Sequence, residues 1–191
     1  MPPSKLASRA LRYVFLDRDG VLNRKPPEDR YIQRWQDFEL LPGVPESIAR
    51  LNRADIKVIV VTNQRGIALG HCTDEDVEAL HEKLRQTLQA QSARIDAIFY
   101  CPHDEGTCEC RKPKPGLFLK AFHQFPDAAP ENSVMIGDSI SDIEAARTVG
   151  ISTIFVRGDK HTRKPGAEKG EATADAAANS FSEAVSLLLE T

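Results

Sequence analysis

Five short apolar runs, rich in β-branched and aromatic residues, recur along the chain, and stretches with helical periodicity separate them. Strands that alternate with helices in this way are typical of a parallel sheet covered by helices. The pattern therefore predicts an α/β fold with a mainly parallel sheet. The predicted strands are Tyr13 to Leu16, Lys57 to Val61, Ala97 to Tyr100, Ser133 to Ile136 and Thr153 to Val156.

The helical stretches are recognised by their apolar faces and by their ends. Thr73 and Asp76 have the spacing of an N-terminal capping box, which predicts a helix over residues 73–91. Its apolar positions are Val77, Leu80, Leu84 and Leu88. His81 lies off this face, so we interpret it as a surface side chain rather than a ligand. The other predicted helices cover Asp142 to Val149 and residues 180–190.

Two segments are polar and lack a clear periodicity. The residues between Gly158 and Asn179 are mainly Lys, Gly, Ala, Glu and Thr, which indicates an exposed connection to which we assign no function. Arg24 to Arg34 is also polar and contains prolines. Because it follows the end of the first predicted strand, it is either a loop that selects the substrate or a plain surface excursion.

Length and composition indicate one globular domain over residues 1–191, with its core in about residues 11–156. The 191 residues are 41% hydrophobic and 28% charged, which is typical of such domains. The formal net charge of -3, with both signs interspersed, provides no basic face for a nucleic acid. No apolar run is long enough to span a bilayer. Met1 to Ala10 lacks the apolar core of a signal peptide, so we expect a cytoplasmic protein with reduced cysteines.

The first predicted strand runs into two carboxylates one residue apart, Asp17 and Asp19, followed by Gly20. In open α/β sheets, ligands bind beyond the carboxyl ends of the strands. Two acidic groups this close repel each other unless a cation or a shared proton compensates. The motif therefore indicates Mg²⁺ binding or a division into acid and nucleophile, and the alternative is a strand that ends in a solvated turn.

Polar side chains follow two more of the predicted strands, and a cationic run lies between them. Thr62 to Gln64 offers a hydroxyl and two amides that can bind phosphate oxygens, although the same residues are common in turns. Gly137 to Asp142 supplies two carboxylates, which can complete an oxygen-rich Mg²⁺ site with Asp17. A lysine of Arg111 to Lys114 can balance the charge of a phosphate.

Three of the four cysteines share a short segment with a histidine, the set being Cys101, His103, Cys108 and Cys110. In a reducing compartment this grouping indicates a metal rather than disulfides. Three thiolates and one imidazole fill all four positions of a tetrahedral site, which predicts structural Zn²⁺ without an open position for catalysis. The segment ends at Arg111 and Lys112, so a bound metal would place two cations beside the phosphate pocket.

The D-x-D-G motif, the strand-end threonine, the lysine and the strand-end acidic pair follow the order found in haloacid-dehalogenase-like (HAD-like) phosphohydrolases. The chain resembles this superfamily over about residues 11–156. The resemblance implies a Rossmann-like three-layer α/β sandwich, here without a large cap domain. It also implies that a phosphate monoester is hydrolysed through an aspartyl-phosphate.

The resemblance further implies a role for each motif residue. Asp17 is the nucleophile, and Asp19 is the general acid and base. Mg²⁺ is held by Asp17, the backbone carbonyl of Asp19 and Asp138, and it offsets the repulsion between carboxylate and phosphate. The side chains that hold the phosphate oxygens are Thr62 and Lys112. The role of Asp142 stays open between orienting Lys112 and capping the following helix.

Within the superfamily, the zinc segment C-P-H with C-x-C-R-K-P is similar to that of the D-glycero-D-manno-heptose 1,7-bisphosphate phosphatases and of the histidinol-phosphate phosphatases. Asn63 to Gly70 and Lys114 to Gly116 resemble the heptose group, from which Val21 and Leu69 depart. The resemblance implies that Arg111 recognises the substrate, and an arginine that holds a second phosphate suits a bisphosphate. The implied substrate contacts are Lys25, Pro26, Pro27, Glu28, Asn63, Gln64, Arg65, Arg111 and Ser139.

We therefore expect a cytoplasmic, monomeric phosphatase that removes the C7 phosphate of heptose bisphosphate during ADP- or GDP-heptose biosynthesis for lipopolysaccharide core or a similar glycan. Its cofactors are expected to be catalytic Mg²⁺ and structural Zn²⁺. Its expected partner is its substrate, a small phosphorylated sugar. We expect it to bind neither a nucleic acid nor a membrane. The first alternative is hydrolysis of histidinol phosphate. An alternative of another class is a non-catalytic, zinc-stabilised interaction module.

Overall fold

The computed structural model describes residues 11–27, 30–159, 162–163 and 165–190. Its strands are β1 (Tyr13–Leu16), β2 (Lys57–Asn63), β3 (Ala97–Cys101), β4 (Ser133–Gly137), β5 (Ser152–Val156) and β6 (Ala176–Ala178). They form one sheet in the order β3-β2-β1-β4-β5-β6, and every neighbouring pair is parallel. All five predicted strands are confirmed, and four of them extend one or two residues beyond the predicted ends.

Helices connect the strands and cover both faces of the sheet. They are α1 (Val44–Arg53), α2 (Asp74–Gln89), α3 (Gly116–Gln124), α4 (Ile140–Thr148), α5 (Ala167–Thr173) and α6 (Phe181–Leu189). The predicted capping box is confirmed, because Thr73 Oγ1 accepts from the amide of Asp76 and the Asp76 carboxylate accepts from the amide of Thr73. None of the helices in the described part of the chain has the length and apolarity to cross a membrane.

Alternation of side chains along the strands divides the core into two layers. Val14 and Leu16 pack with α1, α2 and α6 on one face of the sheet, whereas Tyr13 and Phe15 pack with α3 and α4 on the other. Helix α5 lies beside α4. The predicted three-layer α/β sandwich is confirmed, and no separate cap domain occurs among the residues that the structure describes.

The interpretation of residues 158–179 as an exposed connection is wrong. They contain α5 and the edge strand β6, whose Ala177 pairs with Phe155 of β5. The Asp175 carboxylate, just before β6, accepts from the amide and the hydroxyl of Thr153. Three alanines lack the β-branched and aromatic side chains that mark a strand, so backbone pairing and the Asp175 contact establish β6.

The parallel sheet brings the sequence motifs together. Asp17 follows β1, Thr62 lies at the end of β2, Cys101 ends β3 and Asp138 follows β4. Because parallel strands end at the same edge of a sheet, these residues from four parts of the sequence lie at one edge, where Asp17 and Thr62 line a crevice.

Candidate active site

Asp17 lies buried at the centre of this crevice. Its backbone amide donates to the carbonyl of Ile136 on the adjacent strand, at 3.1 Å. Its carboxylate oxygen Oδ1 accepts from the backbone amide of Arg18 at 2.8 Å and from the Lys112 ammonium at 3.0 Å. In the described residues no hydrogen bond is made to Oδ2, so one oxygen of Asp17 is anchored and the other stays available.

Lys112 is the principal buried cation of the site. Its Nζ donates to Asp17 Oδ1, to Asp142 Oδ1 at 2.5 Å and to the carbonyl of Val61 at 2.6 Å. Burial acts to lower the pKa of Lys112, but the charges of Asp142 and Asp17 outweigh it and raise the pKa above its ordinary value. Lys112 is therefore charged throughout the physiological pH range.

Asp142 fills both of the roles that the sequence left open. One carboxylate oxygen binds Lys112, and the other accepts from the amide of Ser139 at 3.1 Å and from its hydroxyl at 2.6 Å. Gly137 makes this approach possible, since a Cβ at that position would overlap the Asp142 side chain. Asp142 thus fixes Lys112 and the start of α4 together.

Asp138 is buried, and its two carboxylate oxygens have different surroundings. Oδ2 accepts from the Lys25 ammonium at 2.5 Å, while Oδ1 has no hydrogen-bond partner among the described residues. Burial raises the pKa of Asp138 to about 6, against the opposing charge of Lys25. A buried carboxylate oxygen without a partner is unfavourable, and a cation beside it would satisfy it.

Asp17, Asp138 and Asp142 each offer an oxygen, and these oxygens lie within 4.8 Å of one another. Carboxylate oxygens are the ligands that Mg²⁺ prefers. Asp142 is already engaged by Lys112 and Ser139, whereas Asp138 has its unpartnered oxygen. Of the three, Asp17 and Asp138 therefore fit a divalent cation best.

The Asp19 carboxylate is held from several directions. It accepts from the Arg18 guanidinium at 3.0 to 3.3 Å, from Asn23 at 2.9 Å and from Gln64 at 3.1 Å. Burial opposes ionisation, but the Arg18 charge and these hydrogen bonds outweigh it and lower the pKa of Asp19. Gln64 also donates to Thr62 Oγ1, at 2.9 Å. The residues lining the small cavity between these groups are Asp17, Asp19, Thr62, Asn63, Lys112, Ser139, Ser141 and Asp142.

The prediction that His81 is a surface side chain is wrong. His81 is fully buried, and its Nε2 lies 3.2 Å from Nη1 of Arg18. His81 lies four residues after Val77, and residues four apart share one face of a helix, so His81 belongs to the buried face of α2 with Leu84 and Leu88. The sequence also did not predict that Arg18 and Asn23 belong to the site. For Arg18, its position between the two aspartates was the available signal.

The predicted zinc ligands converge. Cys110 Sγ lies 3.2 Å from Cys101 Sγ, 3.5 Å from Cys108 Sγ and 3.3 Å from His103 Nδ1. Tetrahedral Zn²⁺ with Zn–S bonds of about 2.3 Å separates its sulfurs by roughly 3.8 Å, so the cluster is only slightly tighter than a zinc site. Burial acts to raise the pKa of the Cys108 thiol, but hydrogen bonds from the Arg111 amide and from the neighbouring cysteines together outweigh it and lower the pKa to about 6.

The zinc segment is joined to the phosphate end of the sheet. The Asn63 side chain donates to the carbonyl of Lys112 at 3.0 Å and accepts from its amide at 3.1 Å. Farther out, Arg65 pairs with Asp104 at 2.6 Å, and Glu105 lies 3.5 Å from Arg111. Nη1 of Arg111 is buried without a hydrogen-bond partner in the described part of the chain.

Residues 24–27 and 30–34 line a second, larger cavity of about 520 Å³. Lys25 reaches from this cavity to Asp138, and Tyr31 stacks on His71 with ring centroids 4.9 Å apart. Of the predicted substrate contacts, Lys25, Pro26 and Pro27 line it, whereas Glu28 lies outside the described residues. Asn63 and Ser139 line the smaller cavity instead.

Comparison with known proteins gives concordant results. A family model described as HAD-hydrolase-like matches residues 109–184. The D-glycero-beta-D-manno-heptose-1,7-bisphosphate 7-phosphatase of Vibrio cholerae is 38% identical over 185 residues, which cover 92% of this chain and 95% of the relative. The D-glycero-alpha-D-manno-heptose-1,7-bisphosphate 7-phosphatase of Mycobacterium bovis is 41% identical over 137 residues, covering 71% and 72%.

A solved structure is also similar along nearly the whole chain. The D,D-heptose 1,7-bisphosphate phosphatase of B. bronchiseptica, complexed with magnesium and phosphate, superposes with a TM-score of 0.81 at 30% identity, covering 94% of this chain and 99% of that one. The resemblance found in the sequence is therefore confirmed: the chain belongs to the family of D-glycero-D-manno-heptose-1,7-bisphosphate 7-phosphatases within the HAD-like hydrolases.

Proposed function

We propose that this protein hydrolyses the C7 phosphate of D-glycero-D-manno-heptose 1,7-bisphosphate, with Asp17 as the phosphoryl acceptor. The observation that carries the proposal is the position of Asp17 between Lys112 and the small cavity lined by Thr62, Asn63 and Ser139. A buried carboxylate with one anchored oxygen is preorganised to attack with the other. The names of the relatives support the substrate.

The described side chains can perform both halves of the reaction. Asp19 has a lowered pKa in the substrate-free protein, so in this proposal it takes up a proton as the anionic phosphate binds. Asp17 then attacks phosphorus, and the sugar alkoxide leaves with that proton from Asp19. Asp19, now ionised, then takes a proton from the water that cleaves the aspartyl-phosphate. The Thr62 hydroxyl donates to the phosphoryl oxygens, and the positive charge of Lys112 beside them stabilises the negative charge that is concentrated there in the transition state.

Two metals accompany this mechanism. We assign Mg²⁺ to Asp17, the backbone carbonyl of Asp19 and Asp138, which is supported by the unpartnered oxygen of Asp138 and by the magnesium of the B. bronchiseptica structure. When bound, the ion neutralises the phosphate and its carboxylate neighbours. We assign structural Zn²⁺ to the Cys101, His103, Cys108 and Cys110 cluster.

Recognition of the second phosphate is assigned to the rim of the zinc segment. Arg111 has an unpartnered buried Nη1, and both Arg111 and Arg65 lie within 3.5 Å of Glu105. Two neighbouring guanidinium groups suit an anion beyond the reacting phosphate better than they suit the imidazole of histidinol phosphate. Gln64 and the residues around Lys25 complete the proposed substrate contacts.

The remaining proposals follow from the substrate. An enzyme of this specificity acts in the cytoplasm during ADP- or GDP-heptose biosynthesis, as a monomer that handles a small phosphorylated sugar. The non-catalytic zinc module is disfavoured because the carboxylates, Lys112 and Thr62 are all brought into one crevice. A role without catalysis gives no reason for this arrangement.

The substrate is tested by comparing kcat/KM for heptose 1,7-bisphosphate and histidinol phosphate with Mg²⁺ present. We expect a preference of about 10²-fold for the bisphosphate, which corresponds to roughly 2.7 kcal/mol. Arg111→Met should remove most of this preference by raising KM for the bisphosphate, whereas Arg53→Met, at an exposed position, should leave it intact. A preference for histidinol phosphate would overturn the proposed substrate but not the proposed mechanism of phosphate hydrolysis.

The Mg²⁺ assignment is tested at Lys25, whose ammonium competes for the Asp138 carboxylate. Lys25→Met should tighten Mg²⁺ binding by roughly tenfold, about 1.4 kcal/mol, because the ion then faces a more negative site. Isothermal titration calorimetry on the substrate-free protein measures this affinity. The matched control is Lys83→Met, at an exposed position of α2. Equal or weaker Mg²⁺ binding in Lys25→Met would contradict the assignment.

The zinc assignment is tested with two cysteine variants. Cys108→Ser should lower the bound zinc well below one ion per chain and reduce the free energy of unfolding by at least about 2 kcal/mol, since zinc binding stabilises small sites by about 10–16 kcal/mol. Cys72→Ser, outside the cluster, should change neither quantity. Elemental analysis and chemical denaturation give both values, and the same zinc content in the two variants argues against the assignment.

A further inference from the structure

Arg18, the residue between the two aspartates, has a buried guanidinium. Its side chain is only 1% exposed, although it is among the largest in the core. Burial of a guanidinium is unfavourable unless charged and hydrogen-bonded partners compensate for lost water. The contacts of Arg18 therefore indicate the role of its buried guanidinium in the site.

The guanidinium is engaged on two sides. Nε and Nη2 donate to the Asp19 carboxylate, with Nη2 lying 3.1 Å from Oδ1 and 3.0 Å from Oδ2. On its far side, Nη1 lies 3.2 Å from Nε2 of His81. The ring of Phe38 lies 5.8 Å from the guanidinium carbon. Because the guanidinium is planar, contacts at both ends fix its orientation.

His81 acts here as a hydrogen-bond acceptor. Nη1 of Arg18 can only donate, so His81 Nε2 must carry a lone pair, which places the ring proton on Nδ1. Burial and the Arg18 charge lower the pKa of His81 to about 3, so the ring is neutral at physiological pH. The ring also packs edge-on against Tyr100 of β3, with centroids 5.6 Å apart. His81 is thus a fixed, neutral group anchored between α2 and β3.

The Asp19 carboxylate is consequently fixed at both oxygens. Oδ1 accepts from Arg18 and Asn23, while Oδ2 accepts from Arg18 and Gln64. Gln64 ties this arrangement to Thr62, which lines the small cavity. Rotation of the carboxylate would break hydrogen bonds to three side chains at once.

We propose that Arg18 is a positioning residue that aims the Asp19 carboxyl group at the leaving-group oxygen, and that His81 holds Arg18 in the required orientation. The inference rests on the proposed function, in which Asp19 is the general acid and base. It adds a chain of contacts from α2 through His81 and Arg18 to Asp19, which no motif of the sequence displays.

The proposal is tested by comparing two phosphate esters that differ in their need for a proton donor. p-Nitrophenolate is a good leaving group that departs without protonation, whereas the alkoxide of a sugar phosphate requires a proton. In Arg18→Lys, kcat/KM for the sugar phosphate should fall by about 10²-fold or more, the usual contribution of general acid catalysis. The decrease for p-nitrophenyl phosphate should be at least tenfold smaller.

Matched variants separate positioning from a purely structural role. Asp19→Asn should reproduce the selective loss, while Arg53→Lys, at an exposed position, should leave both substrates at the wild-type rate. His81→Phe should show the selective loss, and His81→Gln, which retains an acceptor, should recover part of the sugar-phosphate activity. The histidine pair provides the test if Arg18→Lys does not fold.

The outcomes are distinguishable. A selective loss in Arg18→Lys or His81→Phe supports the proposal, and a parallel loss for both esters would overturn it, because disruption of the fold slows both. Unchanged kcat/KM for the sugar phosphate would also overturn it. If the wild-type protein hydrolyses other sugar phosphates but not heptose 1,7-bisphosphate, only the proposed substrate fails, and the comparison is made with an accepted sugar phosphate. Absence of any turnover by the wild-type protein overturns both proposals.

Discussion

The buried contact between Lys112, Asp17 and Asp142 is the interaction on which the rest of the site depends. Three carboxylates meet at one edge of the sheet, and Lys112 reaches two of them together with a backbone carbonyl. Removing one partner from such a buried group typically costs about 3–5 kcal/mol, because the remaining charge is uncompensated. Neighbouring residues hold Lys112 in place. The Asn63 side chain makes two hydrogen bonds to the Lys112 backbone, and the cysteine segment lies just before Lys112 in the chain.

The same pairing extends over the whole site, because every motif carboxylate contacts a buried cation. Asp17 and Asp142 share Lys112, Asp138 binds Lys25, and Asp19 binds Arg18. Each buried carboxylate therefore has a compensating positive charge beside it. These cations come from different segments of the chain, and their pairing ties the β1–α1 connection and the cysteine segment to the sheet edge.

The fold could be predicted from the sequence, and so could the meeting of the motif residues at one edge of the sheet, for a clear physical reason. Buried parallel strands are apolar runs of similar length, and their carboxyl ends meet at one edge, so Asp17, Thr62 and Asp138 could be brought together without a structure. Periodicity could not reveal β6, since its alanines pair through the backbone. His81 was misplaced because of its polarity: its spacing from Val77 puts it on the buried face of α2, where Arg18 provides a polar partner that the sequence does not show. The contact between Lys25 and Asp138 spans 113 residues and has no local signal.

Asp17 is the residue proposed to become phosphorylated, and trapping of the intermediate tests this directly. The protein is mixed with heptose 1,7-bisphosphate and Mg²⁺, quenched within one turnover, and treated with borohydride, which reduces an aspartyl-phosphate to homoserine. Peptide mass spectrometry then locates the modified residue. We expect homoserine at position 17, with Asp19, Asp138 and Asp142 unmodified. Modification at another carboxylate, or turnover without any trapped residue, would contradict it.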